Sequence, residues 1–430
     1  MTTPFAGERA RLLQYFEAAV AAAHPATCVP RHLPEVPAEG RIVIVGAGKA
    51  CAAMALATER HYIERGQGDR ISGFVTTRHG FGLPTKIIEI VEAGHPVPDE
   101  NSVASARRAL ELVASARPQD LILCLLSGGA SALWSAPADG IGFDAKQALT
   151  KSMLRSGARI SEMNCVRKHL SRIKGGRLAA AAAGKEVLTL AISDVPNDTP
   201  DAIGSGPTVA DTTTLAQARA ILTHYKITPP AEIARALENP ENETLSPGSA
   251  ALSRSRFVLA AYPMGSLQAA AALARQAGYR VDILGDSLEG EARDVAAFHA
   301  AMAKDAMRRG DRVALMSGGE LTVTVRGNGS GGPNQEYAMG LAIALDGAAG
   351  IVGIACDTDG IDGGGGKADD PAGAIVLPDT LLRARDAGLD ASDLLSNNDS
   401  TGFFRQIGDL VTPGPTQTNA NDFRVILVDP

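Results

Sequence analysis

Two cations and a few short polar loops could carry chemistry in this 430-residue chain. Lys49 follows the glycine turn Gly46-Ala47-Gly48. Arg326 precedes a loop holding Gly327, Gly329, Gly331 and Gly332, after which Asn334-Gln335-Glu336 opens a helix. The phrase Ser-Gly-Gly occurs twice, at Ser127-Gly128-Gly129 (continuing Ala130-Ser131) and at Ser317-Gly318-Gly319, each time after an apolar run. Asp194, Asp357, Asp359 and Asp362 supply carboxylates on predicted loops. Glycines let backbone N–H groups close on an anion, and a helix N-terminus adds partial positive charge. An arginine grips phosphate or carboxylate with two parallel hydrogen bonds. One or two carboxylates suffice to hold Mg²⁺, and an aspartate can orient or deprotonate a hydroxyl. Together these are the parts of phosphoryl transfer. Each part also has a plainer reading: a glycine loop as an ordinary turn, Lys49 as solvated surface, the Asp loop as a surface turn.

Other chemistries lack their parts. There is no GxSxG elbow, no HExxH and no zinc spacing of Cys and His, and all eight histidines precede residue 300. The turn around Lys49 fails as a dinucleotide fingerprint because Cys51 stands at the third glycine. It fails as a P-loop because Val43 takes the first glycine position and Ala50 the Ser/Thr position. Asp357-Thr358-Asp359-Gly360 is not an EF-hand, whose glycine belongs at position 6 and whose Glu at 12 is here Ala368.

The elements that must position these residues alternate strand and helix. Strands are predicted at Arg41–Val45, Gly73–Thr77, Lys86–Glu92, Asp120–Leu126 and Glu186–Ile192, with helices between them. Each ends in a glycine or polar loop, and in doubly wound sheets such loops line the binding crevice. The longest runs from Ser193-Asp194 through Asn197 to Gly206-Pro207. Lys168, Arg172, Lys174 and Arg177 cluster near Gly175-Gly176, either a solvated helix end or a basic wall for a phosphorylated ligand; the solvated end is the simpler reading. The Pro-rich stretch Thr228–Ser253 is predicted as the domain linker. The α/β rhythm then resumes, with strands at Phe257–Ala261, Arg280–Leu284, Val313–Met316, Leu321–Val325, Gly350–Ala355 and Phe423–Val428. The fold class is therefore α/β in two domains, 1–245 and 250–430.

Composition limits the function classes. An apolar share of 45% and a charged share of 21% describe a soluble globular protein with a full core. The net charge of −7 argues against a general nucleic-acid surface. No apolar run approaches a membrane span, and the N-terminal stretch reads as an amphipathic core helix rather than a signal peptide. Five cysteines without a CxxC pair suggest reduced thiols and a cytoplasmic setting.

In combination, five stretches resemble the class II glycerate kinases: Gly46-Ala47-Gly48-Lys49-Ala50, Ala93-Gly94-His95-Pro96-Val97-Pro98-Asp99-Glu100, Ser127-Gly128-Gly129-Ala130-Ser131, Ser193-Asp194-Val195-Pro196 with Gly204-Ser205-Gly206-Pro207-Thr208, and Ser317–Glu336. The tail Gly414–Asp422 is similar to the family's GPTGTNVND, with Gln417 in place of a glycine. Pro333 departs from the arginine that many members carry there. The resemblance spans about residues 10–428 and implies an N-terminal DUF4147 region with a Rossmann-like doubly wound sheet. It implies a smaller mixed-sheet MOFRL domain, about 311–428, with the site in a cleft between the two domains.

The resemblance further implies ATP-dependent phosphorylation of D-glycerate, usually at the 2-hydroxyl, with Mg²⁺, in the cytoplasm, without nucleic-acid or membrane partners; it allows a homodimer. Lys49 and Arg326 map onto family residues thought to serve catalysis. The expected roles follow. Lys49, Arg326 and Asp194 are catalytic, Asp194 orienting the acceptor hydroxyl. Gly48, Ser127, Gly128, Gly129, Ser131 and Asn197 hold substrate or phosphate oxygens. Gly318, Gly319, Glu320, Asn334 and Glu336 meet the nucleotide, and Asp357 or Asp359 holds the metal. Two alternatives stand beside this: a hydroxypyruvate reductase using NAD(P)H, with Arg78 meeting a 2′-phosphate, and a non-enzymatic sugar-acid binder.

Overall fold

The computed structural model describes residues 4–363 and 369–430, with Pro196 described by its main chain alone. The chain divides into two compact units, Cys28–Ala260 and the N-terminal segment up to Thr27 with Ala261–Pro430.

The first unit is built on six strands: β1 (Ile42–Ala47), β2 (Ile71–Arg78), β3 (Glu89–Ala93), β4 (Leu121–Leu126), β5 (Glu186–Ile192) and β6 (Ser255–Ala261). Their order is β3-β2-β1-β4-β5-β6. The first five pair in parallel. The central strands β1 and β4 are buried along their whole length. That is why they read as unbroken apolar runs, since a parallel sheet covered on both faces has no polar side. Helices Cys51–Glu64 and Glu100–Ser115 follow β1 and β3 and pack on the sheet. Asp99 starts the second of these with a capping box, accepting the Ser102 N–H at 2.9 Å.

The second unit carries β7 (Arg280–Gly285), β8 (Val313–Ser317), β9 (Ile351–Asp357), β10 (Gly373–Val376), β11 (Leu410–Val411) and β12 (Asp422–Val428), ordered β11-β10-β9-β12-β8-β7. Only β7 and β8 pair in parallel, so this sheet is mixed. The N-terminal helix Ala6–Ala23 belongs to this unit, its Leu12, Tyr15, Phe16 and Ala19 packing in one core with Leu267, Ala270 and Phe423.

Three expectations change. Thr228–Ser253 is folded into the first unit, with a helix at Ala231–Glu238 that buries Ile233, Ala236 and Leu237. Phe257–Ala261 extends the first sheet rather than opening the second. Leu321–Val325 is no strand: a single bridge joins Thr322 to Glu291. Its alternation is real, since Leu321 is buried and Val325 exposed. What replaces a partner strand is the Glu291 carboxylate, which accepts the Thr324 N–H at 3.0 Å and its hydroxyl at 2.9 Å.

Candidate active site

In a sheet ordered 3-2-1-4-5-6 the chain reverses direction between β1 and β4, and ligands bind beyond the carboxyl ends of the strands at that point. Ala47 and Leu126 are paired across these two strands, so the loops that follow them meet there. The Lys49 N–H donates to the Gly128 carbonyl at 2.8 Å, and the Ala50 N–H donates to Ser127 Oγ at 3.0 Å. Gly48 makes the approach possible. Its φ is +148°, and a Cβ there would lie 2.0 Å from Ser127 Oγ. A Cβ at Gly129 would sit 3.0 Å from the His95 ring and 3.3 Å from Lys49 Cγ, so the lysine stem, His95 and the second turn are immediate neighbours.

The structure thus brings together Gly48, Lys49, Ser127, Gly128 and Gly129. Ser127 is fully buried, and its hydroxyl is spent on the Ala50 N–H, so it shapes the turn. Ser131 lies one turn on, its Oγ 2.9 Å from Ser205 Oγ and 2.9 Å from Lys174 Nζ. Asp194 follows β5, the neighbour of β4, on the same edge of the sheet and is partly buried. Asn197 is exposed in a left-handed conformation, φ 60°. Cys51, standing where a dinucleotide fingerprint has glycine, is fully buried; its Sγ lies 3.3 Å from the Leu125 carbonyl and burial pushes its thiol up to about 12. Arg78 ends β2 with its guanidinium stacked 3.5 Å over the Phe81 ring.

In the second unit Arg326 is exposed, while its main chain is pinned. Asn398 Oδ1 accepts both the Arg326 N–H at 2.7 Å and the Gly327 N–H at 3.0 Å. Asn397 and Asp399 take the N–H groups of Asn328, Gly329 and Ser330. The glycine loop was expected to offer these donors to an anion. They are instead given to the turn 397–399, and the glycines allow that close approach: a Cβ at Gly329 would fall 2.5 Å from Asp399 Cβ.

The helix Pro333–Leu345 is capped from within as well. The Asp362 carboxylate accepts the N–H groups of Asn334 and Gln335 at 2.9 and 2.8 Å. Asn334 also donates to Asp422 at 2.7 Å, and Glu336 is paired with Arg293 at 2.6 Å. Both residues are buried, at 1% and 2% exposure, and so tie the unit together rather than facing outward. Gly318 and Gly319 turn sharply after β8, their carbonyls taken by the buried Arg424 guanidinium, while Glu320 is exposed.

Asp357 Oδ1 accepts the Asp359 N–H at 2.8 Å and Asp359 Oδ1 accepts the Ile361 N–H at 2.9 Å, so each carboxylate fixes the turn with one oxygen. Burial, with the Asp422 charge nearby, raises Asp362 to about 7 against the hydrogen bonds that lower it. Among the described residues, no group of three His, Cys, Asp or Glu is arranged to hold a metal. Magnesium bound chiefly through phosphate oxygens and water needs only one or two carboxylates, so Asp357 and Asp359 fit it chemically.

The basic segment after residue 166 is not a solvated helix end. Lys168 is buried against Asp201 and Asp211, at 3.1 and 2.8 Å, and Lys174 is buried against Ser131. Arg172 does face outward, paired with Asp139, whereas Arg177 is half-buried and donates to the Glu241 and Glu243 carbonyls at 3.0 and 2.9 Å. Sequence reasoning missed Asn398 and Asp422, whose partners lie far away in the chain, and Arg167, which no local pattern marks. All five cysteines are buried and none is in a disulfide, and no helix among the described residues is long and apolar enough to cross a membrane.

Comparison with known proteins agrees with this architecture. A domain of unknown function, DUF4147, matches residues 11–238, and the MOFRL family matches 313–422. A protein of Agrobacterium vitis provisionally named hydroxypyruvate reductase is 49% identical over 100% of this chain and 96% of its own. The D-glycerate 2-kinase of Thermotoga maritima is 38% identical over 97% of each chain. A crystal structure of glycerate kinase from the same organism superposes with a TM-score of 0.89 at 37% identity, covering 98% of this chain and 99% of that one.

Proposed function

The chain belongs to the class II glycerate kinase family, and from that premise we propose that it transfers the γ-phosphoryl group of ATP to D-glycerate, at the 2-hydroxyl. The observation that carries the reading is the interlocked pair of turns at the β1–β4 switch point, which sets Lys49 beside the Gly128-Gly129 backbone. A cation and backbone dipoles at such a point suit an oxyanion in transfer, where charge spreads over the phosphoryl oxygens. Lys49 and Arg326 neutralise that charge. Asp194 orients the attacking hydroxyl and takes its proton. Gly128, Gly129, Ser131 and Asn197 hold oxygens of the acceptor or phosphate. Gly318, Gly319 and Glu320 serve the nucleotide. Asn334 and Glu336 act in this scheme by holding the second unit in shape, a change of role that follows from their burial. Asp357 and Asp359 would hold Mg²⁺, which when bound neutralises charge on the phosphate chain.

Purified protein with Mg-ATP and D-glycerate tests this, with products coupled through enolase, pyruvate kinase and lactate dehydrogenase. Signal without phosphoglycerate mutase is expected; signal that needs the mutase would move the reaction to the 3-hydroxyl. No ADP in either case sinks the kinase reading.

The names of relatives such as the Agrobacterium vitis protein favour a second reading, reduction of hydroxypyruvate. Against it stand the buried Cys51 at the fingerprint position and Arg78, committed to Phe81, where a nicotinamide site for NAD has an acidic residue. Oxidation of NADPH or NADH by hydroxypyruvate would establish it.

A further inference from the structure

Lys146, Arg167 and Lys174 form a group of like charges within the first unit, and no hydrogen bond or ion pair joins any of them to a carboxylate among the described residues. Lys146 is 7% exposed and gives one bond, to the Leu170 carbonyl at 2.9 Å. Lys174 is 2% exposed and donates to the Ser131 carbonyl at 2.8 Å and hydroxyl at 2.9 Å. An ammonium has three donors, so both lysines keep at least one in reserve. Arg167 is half-buried, and none of its five donors meets an acceptor among the described residues. The neighbouring residues on the same helix, Ile160–His169, behave differently. Lys168 takes two aspartates and His169 faces Glu243 at 2.9 Å. The fold therefore pairs Lys168 and His169 with carboxylates and leaves Lys146, Arg167 and Lys174 without one among the described residues.

Buried like charges without a counter-ion are costly, and burial together with their mutual repulsion lowers Lys146 to about 7 and Lys174 well below its ordinary range. The helix C-terminus contributes only partial negative charge to offset this. The cost is recovered when an anion binds. The location says which anion. Lys174 holds Ser131, Ser131 sits two residues from Gly129, and Gly129 lies against Lys49. An acid seated at the far end of this turn would present its hydroxyl-bearing carbons toward the lysine end. A planar carboxylate is a group that a guanidinium fork matches with two parallel bonds.

We infer that Arg167 and Lys174, supported by Lys146, form the seat for the carboxylate of the acid acceptor. This rests on the reading of the protein as a kinase of a hydroxy acid. A phosphate of the nucleotide shares the chemistry and is the competing occupant.

The test uses the full-length protein with Arg167→Gln, Arg167→Lys and Lys174→Gln. D-glycerate binding is measured by calorimetry, and KM is measured for each substrate. Loss of a charge-assisted bond predicts that Arg167→Gln weakens D-glycerate binding and raises its KM about 10- to 100-fold, with the KM for ATP within about twofold. Preference for D-glycerate over the neutral glyceramide should collapse, and Arg167→Lys should recover part of it. A rise confined to the KM for ATP would assign the cluster to phosphate and overturn the inference; so would unchanged constants for both. Should the wild type bind D-glycerate without consuming ATP, the kinase reading falls while the binding comparison still decides the seat. A wild type that neither binds nor phosphorylates glycerate overturns both.

Discussion

One oxygen of Asn398 holds the backbone of Arg326: Oδ1 accepts the Arg326 N–H at 2.7 Å and that of Gly327 at 3.0 Å. The amide of the same side chain donates to the Thr324 carbonyl at 3.3 Å and to Glu336 at 3.0 Å. Asn398→Ala should cost about 1–3 kcal/mol, because two N–H groups lose their acceptor. It should also lower turnover, since Arg326 loses its mooring. Asn398→Asp restores the acceptor but sets a carboxylate against Glu336, so it should be no more stable than the alanine variant. Urea unfolding of the three proteins checks this order.

Lys49→Ala should reduce kcat by about 10²–10³-fold, the cost of removing one group that stabilises transferring charge. Its unfolding midpoint should stay near that of the wild type, because the packing around the turn rests on backbone bonds and on Ser127. Near-normal turnover would remove Lys49 from the mechanism.

Gly48→Ala damages the same site by another route. The new methyl would start 2.0 Å from Ser127 Oγ at a φ of +148° that side chains rarely adopt. The turns must separate, so both activity and stability should fall, the latter by about 1–3 kcal/mol. Ser127→Gly added to this variant should recover part of the stability by removing the obstructing hydroxyl.

The Arg293–Glu336 pair predicts a structural effect. Glu336 is 2% exposed, bonded to Arg293 at 2.6 Å and to Asn398. Glu336→Ala removes the nearer of two carboxylates from Arg293, leaving Glu291 at 3.7 Å, and takes an acceptor from Asn398, so it should cost about 1–3 kcal/mol. Differential scanning calorimetry would read it as an early transition.

His299 predicts an acid limb. Burial, with the Arg424 charge second, lowers it to about 4, and its Nδ1 lies 2.8 Å from the Tyr337 hydroxyl. The folded protein therefore holds a neutral imidazole that the unfolded chain protonates below its ordinary value of 6.5. The stabilisation is present above that value and is lost as pH falls toward about 4, to an extent on the order of 3 kcal/mol. His299→Gln keeps a partner for Tyr337 and should flatten the slope of urea midpoints over that range.

Much of the first sheet was legible because buried parallel strands such as Leu121–Leu126 are unbroken apolar runs with polar loops at their ends. The candidate turns around Lys49 and Ser127 were legible for the same reason: strand ends locate them. The mixed sheet was harder. Gly373–Val376 and Leu410–Val411 are too short for periodicity to show. Leu321–Val325 carries a strand's alternation, but its partner is the Glu291 side chain. The buried roles of Asn334, Glu336 and Lys174 depend on Asp422, Arg293 and Ser131, residues no local pattern connects to them.

The N-terminal helix has a consequence for synthesis on the ribosome. Ala6–Ala23 is made well before its core partners Leu267, Ala270 and Phe423. At ~5–20 residues per second, Phe423 follows roughly 20–80 s behind. During that wait Cys28–Ala260 can close its own core, while Leu12, Tyr15 and Phe16 remain uncovered. The nascent chain thus carries an uncovered apolar helix until its last strand is made, and a fragment beginning at Ala261 would lack one wall of its interior.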